Sequence, residues 1–297
     1  LFLAIASIVI AFVLWLLSPE SLRRWIRQLL VRVFRSHPAA AAQPDMAMFD
    51  GRVELLTEHL LSRPADAARK SQYYEAEGPL DWDIIAAQAD VERDQQADVM
   101  KQLNRPVDSL RFLCLLGESG IGKSTLAWRV AAELYRRHQA LVLHVRGWEA
   151  PEVWYRMPEF CSMVRRPILV LADDLFRDPD VRMALQQLSP WLPVTVLATS
   201  QTHEYRPGRL RGEVIPIPIT KVSSQERTRA LVRLGKDSWD RDRNQSARLM
   251  AADDFLVLMA ELTSGKGFQS IVQESLDNLA RQHRPIYRAY EYVCFAY

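Results

Sequence analysis

Cysteine is scarce and unpatterned in this chain. Cys114, Cys161 and Cys294 are three residues in 297, odd in number and far apart. That usage excludes a disulfide framework, offers no metal-ligand spacing and points to a reducing compartment. Cys114 lies in an apolar run, where a buried thiol is expected. A charge of one sign is also lacking: 38 Lys and Arg against 36 Asp and Glu leave +2, so net charge selects no class of partner. There is no internal repeat and no ABC-type LSGGQ signature. What is present, 48% hydrophobic and 25% charged residues, is ordinary for a globular protein with ample material for a core.

The longest apolar run is Leu1–Leu17, in which Ser7 is the polar exception. Seventeen residues make roughly 26 Å of helix, near the lower limit for a ~30 Å hydrocarbon layer. A cleaved signal peptide would show a basic start and a small-residue cleavage site, but "SPESLRRW" follows instead. A buried core helix is the other alternative, though one so uniformly apolar is rare. The expectation is a transmembrane helix over 1–17, with Trp15 at the interface. Ser18 and Pro19 then open an amphipathic segment, 18–36, with Leu22, Trp25, Ile26, Leu29, Leu30, Val33 and Phe34 at helical spacing. Arg23, Arg24, Arg27, Arg32 and Arg35 stand against Glu20 alone. This suits an anionic lipid surface, with a helix packed on a core as the alternative, and places the rest of the chain in the cytoplasm. Residues 37–80 read as a linker, with one short helix around Val53–Leu61.

The stretch "LLGESGIGKST" carries the chemistry. Gly117, Glu118, Ser119, Gly120, Ile121, Gly122, Lys123 and Ser124 satisfy G-x-x-x-x-G-K-[ST], between an apolar strand (Ser109–Leu116) and a helix. In that context backbone N–H groups surround phosphates at a helix N-terminus. Lys123 is expected to reach the β- and γ-phosphates, and Ser124 to bind Mg²⁺ with Thr125 nearby. A second apolar run, Ile168–Leu171, ends in Asp173 and Asp174. Carboxylates at the end of a buried parallel strand lie at the same sheet edge as the phosphate loop. Asp173 is expected to hold Mg²⁺ through water, and Asp174 to orient or deprotonate an attacking water. A third strand, within Leu192–Arg206, would bring Thr199, Ser200 and Gln201 beside Asp173 to sense the γ-phosphate. Strands at Ala140–Trp148 and Glu213–Thr220, the latter with two prolines suited to an edge, complete an α/β pattern. Ser223-Ser224-Gln225-Glu226 resembles a capping box that opens a helical region.

In this order the segments from Trp82 onward resemble the signal-transduction ATPases with numerous domains, the STAND class, in its NB-ARC-like and bacterial forms. The resemblance covers roughly 215 of 297 residues. It implies an ASCE-type P-loop NTPase, a parallel sheet covered by helices, at 81–221, a helical lid at 222–284 and the start of a winged helix at 285–297. It implies ATP and ADP with Mg²⁺ as cofactors, slow hydrolysis, an ADP-bound resting state and a homo-oligomer when active. The trigger would be sensed by a region beyond Tyr297, because both ends of the chain read as cut. In the family a residue before the first strand lies near the adenine. Arg93 matches that position, with a solvent-facing helix arginine as the alternative reading. Gln201 stands where relatives have arginine, and Gly265-Lys266-Gly267 replaces a Gly-x-Pro motif. Prokaryotic relatives suggest, by analogy, antiphage defence or cell suicide. A small-molecule kinase and a nucleic-acid-dependent ATPase are the competing readings. Against the first, the double-Asp strand suits water attack. Against the second, no basic-aromatic stripe marks the nucleotide region, so no nucleic-acid partner is expected.

Overall fold

The computed structural model describes residues 46–74, 80–146, 151–164, 166–208, 210–233, 257–259, 262, 268–282, 284 and 288. The expected membrane span at 1–17, the basic helix at 18–36 and, apart from Arg288, the winged-helix start lie outside these residues. Among the described residues no helix is long and apolar enough to cross a membrane.

Six strands form one sheet in the order β1-β3-β4-β5-β2-β6. They are β1 (Val53–Leu55), β2 (Arg111–Leu116), β3 (Leu141–Val145), β4 (Ile168–Ala172), β5 (Val194–Ser200) and β6 (Glu213–Pro218). All pairings are parallel except that of β1 with β3. The helix expected over Val53–Leu61 is instead β1 followed by the single-turn helix α1 (Glu58–Leu61). Val53 and Leu55 flank Glu54 in a period of two, and the open edge of β3 gives that short alternation an antiparallel partner. The two prolines of β6 fit its place at the opposite edge, where a missing N–H removes no second ladder.

The strands in the middle of the sheet are buried on both faces, which is why their sequences are continuous apolar runs rather than alternations. Phe112, Cys114, Val170, Ala172, Val196 and Ala198 face one core. That core is closed by α6 (Pro151–Met163) and α7 (Pro179–Gln187), through Trp154, Met157, Phe160, Val181 and Leu185. Leu113, Leu115, Leu169, Leu171 and Leu197 face the other. There α5 (Lys123–Arg136) buries Leu126, Ala127, Val130, Ala131 and Leu134, a stripe at helical spacing. The helices α3 (Trp82–Ala86) and α4 (Gln96–Leu103) complete that layer, with α2 (Ala67–Tyr74) nearby. The thiols of Cys114 and Cys161 are buried and pushed up to about 12, so both behave as small apolar groups.

Beyond the sheet, α8 (Ser224–Arg233) opens the helical region, and α9 (Phe268–Gln282) follows later in the chain. A small apolar cluster of Val91, Val222, Ala230, Leu258, Met259 and Leu262 seats α8 against the loop before α4. The expected capping box is present. Ser223 Oγ accepts from the Glu226 N–H at 3.1 Å, and Glu226 Oε2 accepts from the Ser223 N–H at 2.9 Å.

Candidate nucleotide site

Register brings the site together. Leu116 pairs with Ser200 and Ala172 with Ala198, so the phosphate loop, Asp173 and Thr199 leave three adjacent strands at one sheet edge. β5 is inserted between the loop strand and the double-Asp strand. It thereby sets Thr199 and Ser200 between the glycine loop and the double-Asp turn. The loop itself turns sharply. Gly120 and Gly122 have φ of 80° and 90°, in the left-handed region that glycine enters without a side-chain clash. Gly122 is the N-cap of α5, and the Leu126 N–H bonds to its carbonyl at 3.1 Å. Lys123 is buried and donates from Nζ to the Glu118 carbonyl at 2.6 Å, an ammonium held across the loop.

Asp173 and Asp174 occupy the turn after β4. Thr199, itself buried, donates from Oγ1 to Asp173 Oδ1 at 2.9 Å and accepts from the Asp174 N–H at 3.0 Å. The Leu175 N–H bonds to the Thr199 carbonyl at 3.1 Å. These bonds hold Asp174 at φ 47°, a conformation that aspartate tolerates better than most residues. Burial raises the Asp173 carboxyl above its ordinary range, while hydrogen bonds from Thr199 and Ser124 lower it in part. Ser124 and Asp173 thus lie close together at the sheet edge. A hydroxyl and a carboxylate are hard oxygen donors that fit Mg²⁺, which takes few protein ligands beside waters and phosphates. No group of three or more His, Cys, Asp or Glu set to hold a metal occurs among the described residues, and a magnesium site of this kind needs none.

Ser200 is fully buried, donating from Oγ to the Gln201 carbonyl at 3.0 Å, and its own carbonyl accepts from the Gly117 N–H at 3.4 Å. Gln201 is partly exposed just beyond, while Gly265-Lys266-Gly267 lies outside the described residues. Arg93 is buried in the loop between α3 and α4, so it is not a solvent-facing helix residue. Its Nε donates to Glu226 Oε1 at 2.8 Å, its Nη2 to the Thr220 carbonyl at 2.9 Å and its Nη1 to the Ile121 carbonyl. Next to it a cavity of about 460 Å³ opens, lined by Val91, Glu92, Thr228, Arg229, Val232 and Arg233.

Several residues around the site gave no signal in the sequence. The Tyr73 phenol on α2 lies beside Thr125, and burial raises it to about 12, with the Thr125 side chain opposing the rise. His144, at the end of β3, packs edge-on against Trp128 of α5, with ring centroids 4.4 Å apart. Glu54 Oε2 lies 3.6 Å from its Nδ1 and accepts from Trp82 Nε1 at 3.0 Å. Burial lowers the imidazole, with the negative charge of Asp173 as the largest opposing influence. Asp90, fully buried, accepts from Arg129 of α5 at 2.8 Å. Helix α5 is therefore held from α2 and from the segment after α3 as well as from the sheet.

Residues 71–210 match the sequence profile of the family described as Novel STAND NTPase 5. No curated protein matches this chain. Among solved structures, PCH-2 of C. elegans is similar at 16% identity over 50% of this chain and 49% of that one, with a TM-score of 0.36. The chain thus spans about half the length of that protein. The family match takes in the glycine loop, the double-Asp turn and β5, and extends over a little under half of the chain.

Proposed function

We propose that this chain is a nucleotide-operated switch that binds ATP and ADP with Mg²⁺ and hydrolyses ATP slowly. The observation that carries the reading is Thr199, whose hydroxyl joins both acids of the β4 turn beside the phosphate loop. The loop amides and Lys123 would hold the β- and γ-phosphates. Ser124 and Asp173 would hold Mg²⁺, which supplies charge neutralisation on the phosphate oxygens when bound. Asp174, fixed by the Thr199 bond, would orient a water and take its proton. Ser200 and Thr199 would register the γ-phosphate.

A switch needs the bound state to persist and a second element to respond to it. Helix α8 meets the nucleotide core through the buried Arg93–Glu226 ion pair, which suits a lid whose position differs between ADP and ATP forms. On this reading residues 1–17 anchor the protein in a membrane with the nucleotide core in the cytoplasm. The ATP form is a homo-oligomer, and a region beyond Tyr297 senses the trigger. A role in defence or cell suicide would follow from clustering such an anchor.

Light scattering of the full chain in detergent tests the switch, with Mg-ADP in one sample and a slowly hydrolysed ATP analogue in the other. The expected result is a small species with ADP and a larger one with the analogue, alongside turnover on the order of one per minute or slower, well below typical enzymes. Equal masses with rapid turnover would contradict it. Flotation of the same chain with vesicles rich in anionic lipid tests the anchor, and an Arg-to-Gln change at Arg23, Arg24 and Arg27 should weaken that association if the basic helix contributes.

A further inference from the structure

We infer that Arg93 is a positioning residue that aims a backbone amide of the phosphate loop, and that Glu226 of α8 holds it in place to do so. The inference rests on the nucleotide reading above and goes beyond it by assigning the link between loop and lid. Its geometric core is one peptide unit. The Ile121 carbonyl accepts from Arg93 Nη1. In a trans peptide that carbonyl and the following N–H, of Gly122, point to opposite sides. A carbonyl tied to Arg93 therefore turns the Gly122 N–H away from Arg93. An anion-binding loop works only when its amides face the anion and its carbonyls face away. Gly122, at φ 90°, has no side chain to fix that plane, so an external donor is required to hold it against rotation.

The guanidinium is in turn fully constrained. Its Nη2 donates to the Thr220 carbonyl at 2.9 Å, at the exit from β6, and its Nε to Glu226 at 2.8 Å. Glu226 Oε1 also accepts from the Asp94 N–H at 2.8 Å, and Oε2 caps α8 through the Ser223 N–H. The Asp94 carboxylate accepts from Ser223 Oγ at 2.6 Å and pairs with Arg229. Arg93 and Glu226 are buried, at 2% and 0% side-chain exposure. A buried pair of this kind fixes a geometry more than it adds stability. The planar fork matters because three acceptors on three segments are met at once, which a lysine ammonium on a flexible stem does not reproduce. Tilting α8 would withdraw Glu226, free Arg93 and let the Ile121–Gly122 plane rotate. Lid position is thereby coupled to phosphate affinity without any contact between α8 and the phosphates.

Titration calorimetry on the full chain, with pyrophosphate, ADP and GDP in the presence of Mg²⁺, tests this. The variants are Arg93→Lys, the uncharged pair Arg93→Met with Glu226→Met, and Lys123→Ala as the control for binding at this loop. Arg93→Lys keeps an ion pair with Glu226 but not the fork. It should remain folded with a melting temperature several degrees lower, because buried carbonyls lose their donor, and should bind pyrophosphate and ADP roughly ten- to a hundredfold more weakly, the range for losing one hydrogen bond to a charged group. The ratio of ADP to GDP affinity should stay unchanged, because the base is not what Arg93 serves. The uncharged pair should show the same loss with its fold retained. Parent-like pyrophosphate affinity in a folded Arg93→Lys or in the uncharged pair would overturn the inference. Unchanged pyrophosphate binding with a collapsed ADP-to-GDP ratio would overturn it too, by making Arg93 a base contact. A parent that binds neither ADP nor pyrophosphate, or binds them equally well with Lys123→Ala, would instead remove the nucleotide reading at this loop and the inference with it.

Discussion

Thr199→Val is the most informative single change at the strand edge. Valine matches threonine in shape, so no cavity forms at a site only 1% exposed. Two bonds vanish: the one donated to the Asp173 carboxylate at 2.9 Å and the one accepted from the Asp174 N–H at 3.0 Å. A hydrogen bond to a charged group contributes about 1.5–3 kcal/mol and a neutral one about 1 kcal/mol. Water reaches the partly exposed Asp174 turn, and valine is itself favoured in an apolar core. The net loss should then be about 2 kcal/mol, or roughly 4–8 °C in melting temperature for a domain of this size. The functional effect should be larger than the structural one. The Asp174 backbone, held at φ 47° by that bond, would be released, and misplacing a catalytic group by about 1 Å can cost 10²-fold in rate. Single-turnover hydrolysis of ATP should fall at least about tenfold while ADP affinity changes little, since the loop is untouched. Thr199→Ser keeps the hydroxyl and should retain the rate, losing about the value of one buried methyl, ~0.8 kcal/mol. Equal rate losses in the valine and serine variants would refute the reasoning, because packing rather than the hydroxyl would then be responsible. An unchanged rate in the valine variant would refute it as well.

Further expectations concern charge and capping. Burial raises the Asp173 carboxyl in the folded state, so the folded form binds a proton more readily than the unfolded one. That contribution is present below the ordinary carboxylate range and is lost as pH rises through the raised value. Asp173→Asn should therefore melt at or above the parent at neutral pH without nucleotide or Mg²⁺, and should lose Mg-dependent hydrolysis; a lower melting temperature would contradict the sign. His144 has the opposite shift, lowered chiefly by burial. Its contribution is full above the ordinary histidine range and fades as pH falls toward the lowered value. Because the ring lies against Trp128, tryptophan fluorescence of the folded protein should titrate around the lowered value, below the ordinary histidine range, and His144→Gln should abolish the change. Ser223→Ala removes the α8 cap, at about 1 kcal/mol. It also removes the largest influence lowering the Asp94 carboxyl. The stability that Asp94 contributes, lost as pH falls through its lowered value, should then disappear at a higher pH than in the parent, as melting curves at several acid pH values would show.

The glycine loop at the α5 N-terminus, the double-Asp turn after β4 and the α8 capping box are legible in the sequence because each is a local pattern that depends on spacing along the chain. The buried strands are legible for a related reason: an apolar run short enough for a strand and followed by polar residues marks the functional edge of a parallel sheet. Long-range partners leave no such mark. Arg93 and Glu226 are 133 positions apart, and although each carries a local signal, neither signal names the other as its buried partner in a chain that is one-quarter charged. Val53–Leu55 is too short for its period of two to be separated from a helical turn; pairing with β3 decides it. Glu54 and His144 meet only through that pairing, so their contact was hidden along with the strand. Tyr73 lies on a largely polar helix whose one informative contact, with Thr125, depends on how the segment before the sheet folds back over α5.

The central claim is that the loop at 117–124 retains a nucleotide as a switch does. The direct test is to purify the full chain in detergent without added nucleotide, denature it, and identify what is released by chromatography and mass spectrometry, with Lys123→Ala in parallel. The account predicts near-stoichiometric ADP from the parent and little from the variant. Release of no nucleotide from a folded parent, together with rapid multiple turnover of ATP, would contradict it.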